Sequence, residues 1–395
     1  MTDMARDVTK PQGSFFYDSR VRAIVYQIVL VAVIGFVVVG AGTEAVSNMR
    51  ARGIPLSFDF WNAVAGFDIN QTLIPYTNLS TYGQAFWVGV VNTLLVAAIG
   101  IVLTTIIGFT VGIARLSSNW IVAKLAAVYV EVIRNIPLLL QLFFWYNAVL
   151  KPLPAPKQSL ALPGGIYLNN RGIVVPDPQF GAGSGMVAWA LLVGVAGTFA
   201  FAYWAKLRQK RTGAQSPTGW VALALIIGLP ILAYLVMGEP ITFKVPVLKG
   251  FNFQGGRQIF PELAALLLGL SVYTASFIAE IVRAGIQSVP RGQAEAAHAL
   301  GLSGSQTLRL VVVPQAMRVI IPPLTSQYLN LTKNSSLAVF IGYPDLVQVF
   351  AGTVLNQTGA AVQVMAITLA VYLAISLATS FAMNLFNKRN ALVER

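Results

Sequence analysis

Apolar residues in this chain of 395 residues occur in long continuous runs, which are separated by shorter polar or Pro- and Gly-rich segments. A transmembrane β-barrel alternates apolar and polar residues over about ten positions, whereas about 20 consecutive apolar residues are typical of a membrane-spanning helix. The pattern therefore predicts an all-α integral membrane protein with about eight transmembrane helices. The expected spans cover roughly residues 23–42, 85–114, 121–149, 186–205, 219–237, 261–284, 314–341 and 360–386.

The composition supports a membrane location. Hydrophobic residues make up 56% of the chain and charged residues only 10%, against about 25% charged residues in a soluble domain. The formal net charge of +13 is better explained by basic cytoplasmic loops than by nucleic-acid binding. With both termini inside, 17 Lys and Arg residues fall in cytoplasmic segments and 8 fall on the opposite side. The first span has no convincing signal-peptidase site, so we expect it to remain as an anchor.

Several classes of chemistry are excluded by the sequence. The chain contains no cysteine, which excludes disulfides, thiolate metal sites and cysteine nucleophiles. A single histidine, His298, cannot form a histidine metal site, and no G-x-x-x-x-G-K-[ST] segment offers a P-loop for nucleotide. The stretch "GAGSG" at residues 181–185 is expected to be a flexible loop rather than a phosphate cradle. The sequence thus predicts no metal site and no catalytic site in this chain.

One small polar segment interrupts the apolar pattern, "GQAEAAHALGLSGSQTLRLVVVP" at residues 292–314. Its Ala, Leu, Glu and Gln residues favour helix, and Gly301 follows Leu300 where a left-handed cap ends a helix. We therefore expect a helix around Glu295, a turn at Gly301 and a second helix over about 303–310. From composition alone, an amphipathic cytoplasmic connector is the simplest interpretation.

The spacing within this segment is more specific than its composition. Three residues separate the EAA triplet that begins at Glu295 from Gly301, and nine residues separate Gly301 from "VVVP", which ends at Pro314. This spacing resembles the EAA loop of binding-protein-dependent ABC importer permeases, in which the closing motif is I-x-L-P. The loop would span residues 285–314. The resemblance assigns ATPase coupling to Gly292, Glu295, Ala296, Ala297, Gly301 and Pro314.

Three longer stretches resemble the polar amino acid (HisMQ-type) branch of these permeases. They are "EVIRNIPLLLQLFFWY" from Glu131, "FIAEIVRAGIQSVPRGQAEAAHALGLS" from Phe277, and "PQAMRVIIPPLTSQYLNLTKNSSLAVFIG" from Pro314. The long, split layout of the chain is most similar to the Q-type permease subunit of general L-amino acid transport systems.

The resemblance implies a type I ABC importer permease core (MetI-like) that is divided by an insert. Residues 85–150 would form the first half of the core, and residues 261–395 the second half. Residues 1–84 would add an N-terminal anchor span and a periplasmic loop, and residues 151–260 would add periplasmic loops and two extra spans. Because these two spans lack charged residues and return the chain to the side it left, we expect them to pack outside the transport core.

Function and partners also follow from the resemblance. The chain would be the permease subunit of an importer for L-amino acids, of broad or polar specificity, and would not be an enzyme or bind a cofactor. A dimer of ABC ATPase subunits, which hold ATP and Mg, would dock on the coupling loop. A second related permease and a periplasmic amino-acid-binding protein would complete the system. We expect a multi-pass protein of the bacterial inner membrane with both termini cytoplasmic and no nucleic-acid partner.

Three alternatives are open at this level. The first is a permease for acidic amino acids only. The second is an ion-coupled secondary amino acid carrier, which would not need a docking loop for an ATPase. The third is a structural membrane anchor, which would not need isolated charges within its spans.

Charged residues inside the spans each cost about 2.5–3.5 kcal/mol on insertion scales and therefore require a role. Glu280 and Arg283 lie three residues apart on one helix face, and we predict a structural ion pair between them. Glu131 and Arg134 repeat this spacing. They are candidates either for pairing within the bundle or for the substrate pathway.

Lys333 has no acidic neighbour within a helical turn. Small hydrogen-bonding residues surround it, and Pro322 and Pro323 precede it, where we expect them to break the helix and free carbonyl groups. An isolated ammonium in these surroundings suits the α-carboxylate of an amino acid. A structural ion pair with Glu131 or Glu280 is the alternative. The candidate substrate-pathway residues are Lys333, Asn334, Ser335, Arg134, Glu131, Gln141 and Gln327.

Overall fold

A computed structural model of the protein describes residues 19–55 and 57–390. The chain termini, to which the prediction of a cytoplasmic location refers, lie outside the described residues. The α-helices of the described part are α1 Ser19–Ala51, α2 Tyr82–Ala114, α3 Trp120–Asn135, α4 Leu138–Phe143, α5 Ser184–Thr212, α6 Thr218–Leu223, α7 Leu229–Val236, α8 Pro261–Gln287, α9 Arg291–Ala299, α10 Gly304–Thr307, α11 Val313–Asn334, α12 Leu355–Thr358 and α13 Ala361–Asn390. Its strands are β1 Leu160–Leu162, β2 Ile166–Asn169, β3 Gly172–Val175, β4 Asp177–Phe180, β5 Ile241–Lys244, β6 Val247–Lys249, β7 Asn252–Gln254 and β8 Arg257–Ile259.

The helices are long and apolar enough for a multi-span membrane protein. Among the described residues, seven helical segments meet the length and hydropathy of a membrane span, and a bent pair brings the number to as many as eight. The prediction of a helical membrane protein with about eight spans is confirmed. Continuous helices are expected in lipid because a helix satisfies its backbone hydrogen bonds within its own segment.

The third span differs from the prediction of one helix over residues 121–149. It is broken between α3 and α4, where the chain bends by 105°. Pro137 lacks an N–H and disfavours helical backbone at the preceding Ile136, which adopts an extended conformation. Nε2 of the buried Gln141 donates hydrogen bonds to the carbonyl oxygens of Ile133 (2.9 Å) and Ile136 (3.0 Å). Two carbonyl groups exposed by the break are thereby satisfied.

The centre of the fold is the packing of α2 against α8, on which α11 also packs. Glycines on α2 allow the two backbones to approach closely. A Cβ atom at Gly108 would lie 2.6 Å from the side chain of Ile278, and one at Gly112 would lie 2.8 Å from the carbonyl oxygen of Ala279. Small residues are typical of helix contacts in lipid, where association depends on close packing. The segments that flank residues 151–260 thus form one helical core.

The segments on either side of the two inserted spans, which the sequence analysis describes as loops, contain short strands. Strands β1, β2, β3 and β8 form an antiparallel four-stranded sheet, and β4–β5 and β6–β7 form two further antiparallel pairs. In the β2–β3 hairpin, Tyr167 lies opposite Val174 and Asn169 lies opposite Gly172. β-branched and aromatic residues on either side of "NNRG" favour such a hairpin. β4 leads into α5, and β8 leads into α8. The strands therefore lie at the N-terminal ends of these two helices, whereas α9 follows the C-terminal end of α8.

The two inserted spans form a helical hairpin of α5 and of α6–α7. Its close packing is internal: a Cβ atom at Gly194 on α5 would lie 2.1 Å from the carbonyl oxygen of Leu225. Large apolar side chains on its outer faces are exposed, including Trp189 (66%), Phe199 (73%) and Trp220 (76%). In a bilayer such faces contact lipid or a neighbouring membrane protein.

Between α11 and α13 the chain folds back onto α2 and α13 in residues 335–360, which we call the re-entrant segment. Pro322 and Pro323 do not end α11, which continues through them to Asn334. A 3₁₀-helix, Ser335–Ile341, then leads to a left-handed Gly342 (φ +77°) and to the π-helical turns Val347–Val354. Asn92 on α2 donates a hydrogen bond of 2.8 Å to the carbonyl oxygen of Pro344, which attaches this segment to the core.

Candidate coupling loop and translocation cavity

The polar loop between α8 and α11 has the local structure that its sequence predicts. α9 ends at Ala299 with Leu300 as its C-cap, and Gly301 adopts a left-handed backbone with φ +81°. The N–H of Gly301 donates to the carbonyl oxygen of His298, and that of Leu302 donates to Ala297. Ser303 then caps the start of α10 in a reciprocal capping box with Gln306. The helix, the turn at Gly301 and the second helix are confirmed.

The exposed face of this loop combines apolar and charged groups. Glu295 and Ala296 are exposed on α9, whereas Ala297 is buried against the rest of the loop. Leu300 at the tip is 83% exposed and Leu310 is 60% exposed. Gly292 lies in the first turn of α9, and Pro314 lies in the first turn of α11, directly after the π-helical turns Leu308–Val312. The loop therefore presents apolar side chains and the Glu295 side chain to its surroundings.

A cavity of about 430 Å³ lies between the end of α11, the re-entrant segment and α13. Its polar lining groups are Lys333, Ser336, Thr368, Tyr372 and Ser376. Its apolar lining consists of Val347, Ala351, Met365, Leu369 and Leu373. The cavity therefore contains one positive charge on an apolar wall, with several hydroxyl groups beside it.

Lys333 has no acidic partner within ion-pair distance in the part of the chain that the structure describes. Glu280 is engaged elsewhere: it accepts hydrogen bonds from Arg115 at the end of α2 and from Arg283 on its own helix. The predicted ion pair of Glu280 with Arg283 is present. Arg115, to which the sequence analysis assigned no role, forms a second ion pair with Glu280. The geometry thus does not support pairing of Lys333 with Glu280.

Glu131 and Arg134 do not form an ion pair with each other among the described residues. Both side chains are exposed on α3. The guanidinium carbon of Arg134 lies 4.9 Å from the centre of the Phe277 ring on α8, a cation–π contact. Neither residue lines the cavity that contains Lys333.

The other candidate pathway residues also lie outside this cavity. Gln141 is buried at the break after α3, and Gln327 and Asn334 are half-buried on α11 but do not line it. Ser335 is fully buried and donates a hydrogen bond of 2.8 Å to the carbonyl oxygen of Thr332. Its neighbour Ser336 lines the cavity instead. Of the predicted pathway residues, Lys333 lines the cavity. Ser336 and Tyr372, which were not predicted, also line it.

Asp345, in the re-entrant segment, is a buried carboxylate that the sequence analysis missed. Its Oδ1 accepts a hydrogen bond of 2.8 Å from the backbone N–H of Gln348, and its Oδ2 accepts one of 3.2 Å from the Tyr372 hydroxyl. The adjacent N–H of Leu346 donates to Oγ1 of Thr93 on α2, at 3.0 Å. The only sequence signal is an Asp that follows Gly-Tyr-Pro and precedes an apolar run, which is typical of a helix N-cap.

Known proteins similar to this chain are membrane permeases. Residues 216–391 match the family described as "Binding-protein-dependent transport system inner membrane component". The chain is 53% identical to the "General L-amino acid transport system permease protein AapQ" of Rhizobium johnstonii over 402 residues, which cover all of both chains.

Two further relatives are similar over nearly their whole length. The "Putative amino-acid ABC transporter permease protein YhdX" of Escherichia coli is 52% identical, over 96% of this chain and 97% of its own. The "Glutamate/glutamine/aspartate/asparagine transport system permease protein BztB" of Rhodobacter capsulatus is 42% identical, over 96% of each chain. These similarities therefore extend through the segment 151–260 as well as the helical core.

Proposed function

Because this chain belongs to the family of binding-protein-dependent transport system inner membrane components, we propose that it is a permease subunit of an ABC importer for L-amino acids. The observation that carries the proposal is 53% identity over the full length to a permease named for general L-amino acid transport. The cavity at Lys333 supports it, because an ammonium on an apolar wall suits a zwitterionic ligand with a variable side chain.

In this proposal Lys333 binds the α-carboxylate as the amino acid crosses. A hydrogen bond to a charged group contributes about 1.5–3 kcal/mol when it replaces water, which is roughly ten- to a hundredfold in affinity. Ser336 and Tyr372 offer further hydroxyl groups beside it. The apolar residues of the lining contact the substrate side chain.

The specificity that we propose is broad. Among the described residues of the lining there is no carboxylate that would select a cationic side chain, and the apolar wall accepts side chains of several sizes. The alternative of acidic amino acids only does not fit the relatives. AapQ is named for general L-amino acids, and the name of BztB includes glutamine and asparagine.

Energy for transport would come from a partner ATPase. We place its docking site at the loop of α9 and α10, where the left-handed Gly301 positions the exposed Leu300 and Glu295. ATP and Mg would be held by the ATPase subunits, and this chain would bind no cofactor and catalyse no reaction. A second related permease, giving a heterodimer, and a periplasmic binding protein complete the system in the bacterial inner membrane, with both termini of this chain cytoplasmic.

Reconstitution in proteoliposomes tests the function. The full complex should transport labelled neutral and acidic L-amino acids only under two conditions. ATP must be on the side of the membrane that carries the ATPase subunits, and the binding protein must be on the opposite side. The control omits the ATPase and retains both permeases. Uptake that persists without the ATPase and is abolished by an ionophore would identify an ion-coupled carrier and refute the proposal. Uptake restricted to glutamate and aspartate would refute broad specificity alone.

A further inference from the structure

The turn of the inserted helical hairpin contains a second cavity that the transport function does not use. It has a volume of about 350 Å³ and lies between the end of α5 and the beginning of α6. Its polar lining groups are Lys206, Gln209, Gln215, Ser216 and Thr218. Because α5 and α8 both run away from the β-strands, this cavity lies on the same face of the protein as the loop of α9 and α10.

The charge around this cavity is not balanced by the protein. "KLRQKR", residues 206–211, contains four basic residues, and the sequence has no Asp or Glu between Asp177 and Glu239. Within the described part of the chain, none of these four residues forms an ion pair. Arg115 and Arg283, by contrast, are paired with Glu280 on the same face of the protein. A balancing anion must therefore come from outside the chain.

The position of the cavity indicates where that anion comes from. The last turns of α5 and the start of α6 expose Tyr203 (68%), Trp204 (50%) and Trp220 (76%). Tyr and Trp are enriched at the level of lipid headgroups because one part of the ring system is apolar and another is polar. The guanidinium carbon of Arg208 lies 5.5 Å from the centre of the Trp204 ring. This cation–π contact holds the Arg208 guanidinium at the level of the headgroups.

The lining groups match the chemistry of a phosphodiester. Lys206 supplies a positive charge, and the side chains of Gln209, Gln215 and Thr218 supply hydrogen-bond donors to anionic oxygens. Arg208 is held at the rim by a hydrogen bond of 3.4 Å to Oγ of Ser216. Basic pockets between membrane helices on the cytoplasmic side are typical binding sites for anionic lipid headgroups.

We propose that the cavity between α5 and α6 binds the phosphate of an anionic phospholipid, whose acyl chains lie along the exposed faces of the hairpin. The site fixes the inserted hairpin in the bilayer, and it does not depend on the identity of the transported substrate. A purely topological role of the basic cluster makes a different prediction, because the positive-inside effect depends on charge and not on the hydroxyl and amide groups of a pocket.

Lipid binding by the purified, delipidated complex distinguishes a specific lipid site from a purely topological role of the basic cluster. Native mass spectrometry with phosphatidylglycerol, cardiolipin and phosphatidylcholine should show at least tenfold tighter binding of the anionic lipids. Lys206→Gln should weaken phosphatidylglycerol binding about tenfold, and Thr218→Val, which leaves every charge in place, should weaken it about threefold. Lys124→Gln is the matched control, because Lys124 is an exposed basic residue on α3 at the same face but outside the cavity.

Three results of these binding measurements would overturn the proposal. Equal binding of phosphatidylcholine and phosphatidylglycerol would overturn the proposal, and so would equal losses for Lys206→Gln and Lys124→Gln. Displacement of the lipid by inorganic phosphate at the same concentration would assign the cavity to a soluble anion and would also overturn it. Gel filtration of each variant complex checks that assembly is intact, so that a loss of lipid is attributable to the cavity.

Discussion

The hydroxyl group of Tyr372 on α13 lies 3.2 Å from Oδ2 of Asp345, the buried carboxylate of the re-entrant segment. Tyr372 also lines the cavity that contains Lys333. Because Leu346, the next residue, donates from its backbone to Thr93 on α2, a short series of hydrogen bonds connects the cavity wall to the helical core. The shape of the proposed substrate site is therefore set by a polar contact beneath it.

Removal of this contact should destabilise the protein. Tyr372→Phe leaves the Oδ2 atom of Asp345 without its side-chain donor, and an unsatisfied buried acceptor costs about 1–3 kcal/mol. We expect a lower apparent melting temperature in detergent, measured by tryptophan fluorescence. Tyr203→Phe is the control, because the Tyr203 side chain is exposed on α5. Equal melting of Tyr372→Phe and the parent protein would mean that the hydrogen bond contributes no stability.

The left-handed backbone at Gly301 should be required for ATPase docking. A Cβ atom there meets no neighbour, so the effect of Gly301→Leu is conformational and costs about 1–2 kcal/mol at the turn. We expect loss of ATPase copurification and of uptake, with normal membrane insertion. Gly301→Asn should retain part of both, because Asn tolerates this conformation.

Gly304→Ala provides the control for that prediction. Gly304 begins α10 three residues later, has open space around it and does not adopt a positive φ. Its substitution should leave docking and uptake unchanged. Normal ATPase copurification of Gly301→Leu would refute the coupling role of the loop. Glu295→Ala should reduce docking less, because an exposed ion pair contributes about 0–1 kcal/mol.

Loss of the charge at Lys333 should reduce transport without reducing folding. Lys333 is exposed, so Lys333→Met, which retains the length of the side chain and removes its charge, should leave the yield normal and slow uptake at least tenfold. Lys333→Arg should be intermediate, because a planar guanidinium does not replace a compact ammonium. Uptake by reconstituted Lys333→Met at the parental rate would refute carboxylate binding.

Two adjacent serines offer a matched pair for the same cavity. Ser336 lines the cavity, whereas Ser335 is fully buried and does not line it. Ser336→Leu should therefore reduce uptake by filling the cavity, with little change in stability. Ser335→Ala should affect stability through its lost hydrogen bond and should leave the apparent substrate affinity unchanged. The reverse pattern, measured by uptake kinetics and thermal unfolding, would contradict the position assigned to the cavity.

The network of Glu280 should be structural. Glu280→Gln leaves Arg115 and Arg283 facing each other without an anion, and Arg115 is only 13% exposed. We expect a loss of about 1–3 kcal/mol and a lower yield of folded protein, which Arg115→Gln in the same chain should partly restore. Glu131→Gln is the control, because Glu131 is exposed and has no ion pair among the described residues. An equal loss of yield for Glu131→Gln would contradict this explanation.

The inserted hairpin should not contact the substrate. A photoreactive amino acid should label residues of the cavity near Lys333 and not α5 or α7, whose close packing is internal. Mass spectrometry of the labelled chain locates the sites. Labelling of the hairpin by the transported amino acid would refute its location outside the transport core.

The sequence by itself determined the features that depend on local order. Continuous apolar runs predicted the membrane helices, because a single span in lipid must satisfy its own backbone hydrogen bonds. The EAA spacing located the loop of α9 and α10, and Gly301 predicted its left-handed turn because Cβ makes that conformation unfavourable for other residues. The strands beside the inserted spans were missed because short, exposed strands with little alternation have a weak sequence signal.

Only the tertiary structure decided which distant groups meet. Arg115 and Glu280 are separated by 165 positions, and their contact depends on how α2 packs against α8. Ser335 lies in the core whereas the adjacent Ser336 lies at the cavity, and the packing around the end of α11 decides which of the two is buried. Asp345 acquired its hydrogen-bond donors in the same way, because Tyr372 reaches it from another helix. Such contacts arise from packing among helices, which a local pattern of residue types does not specify.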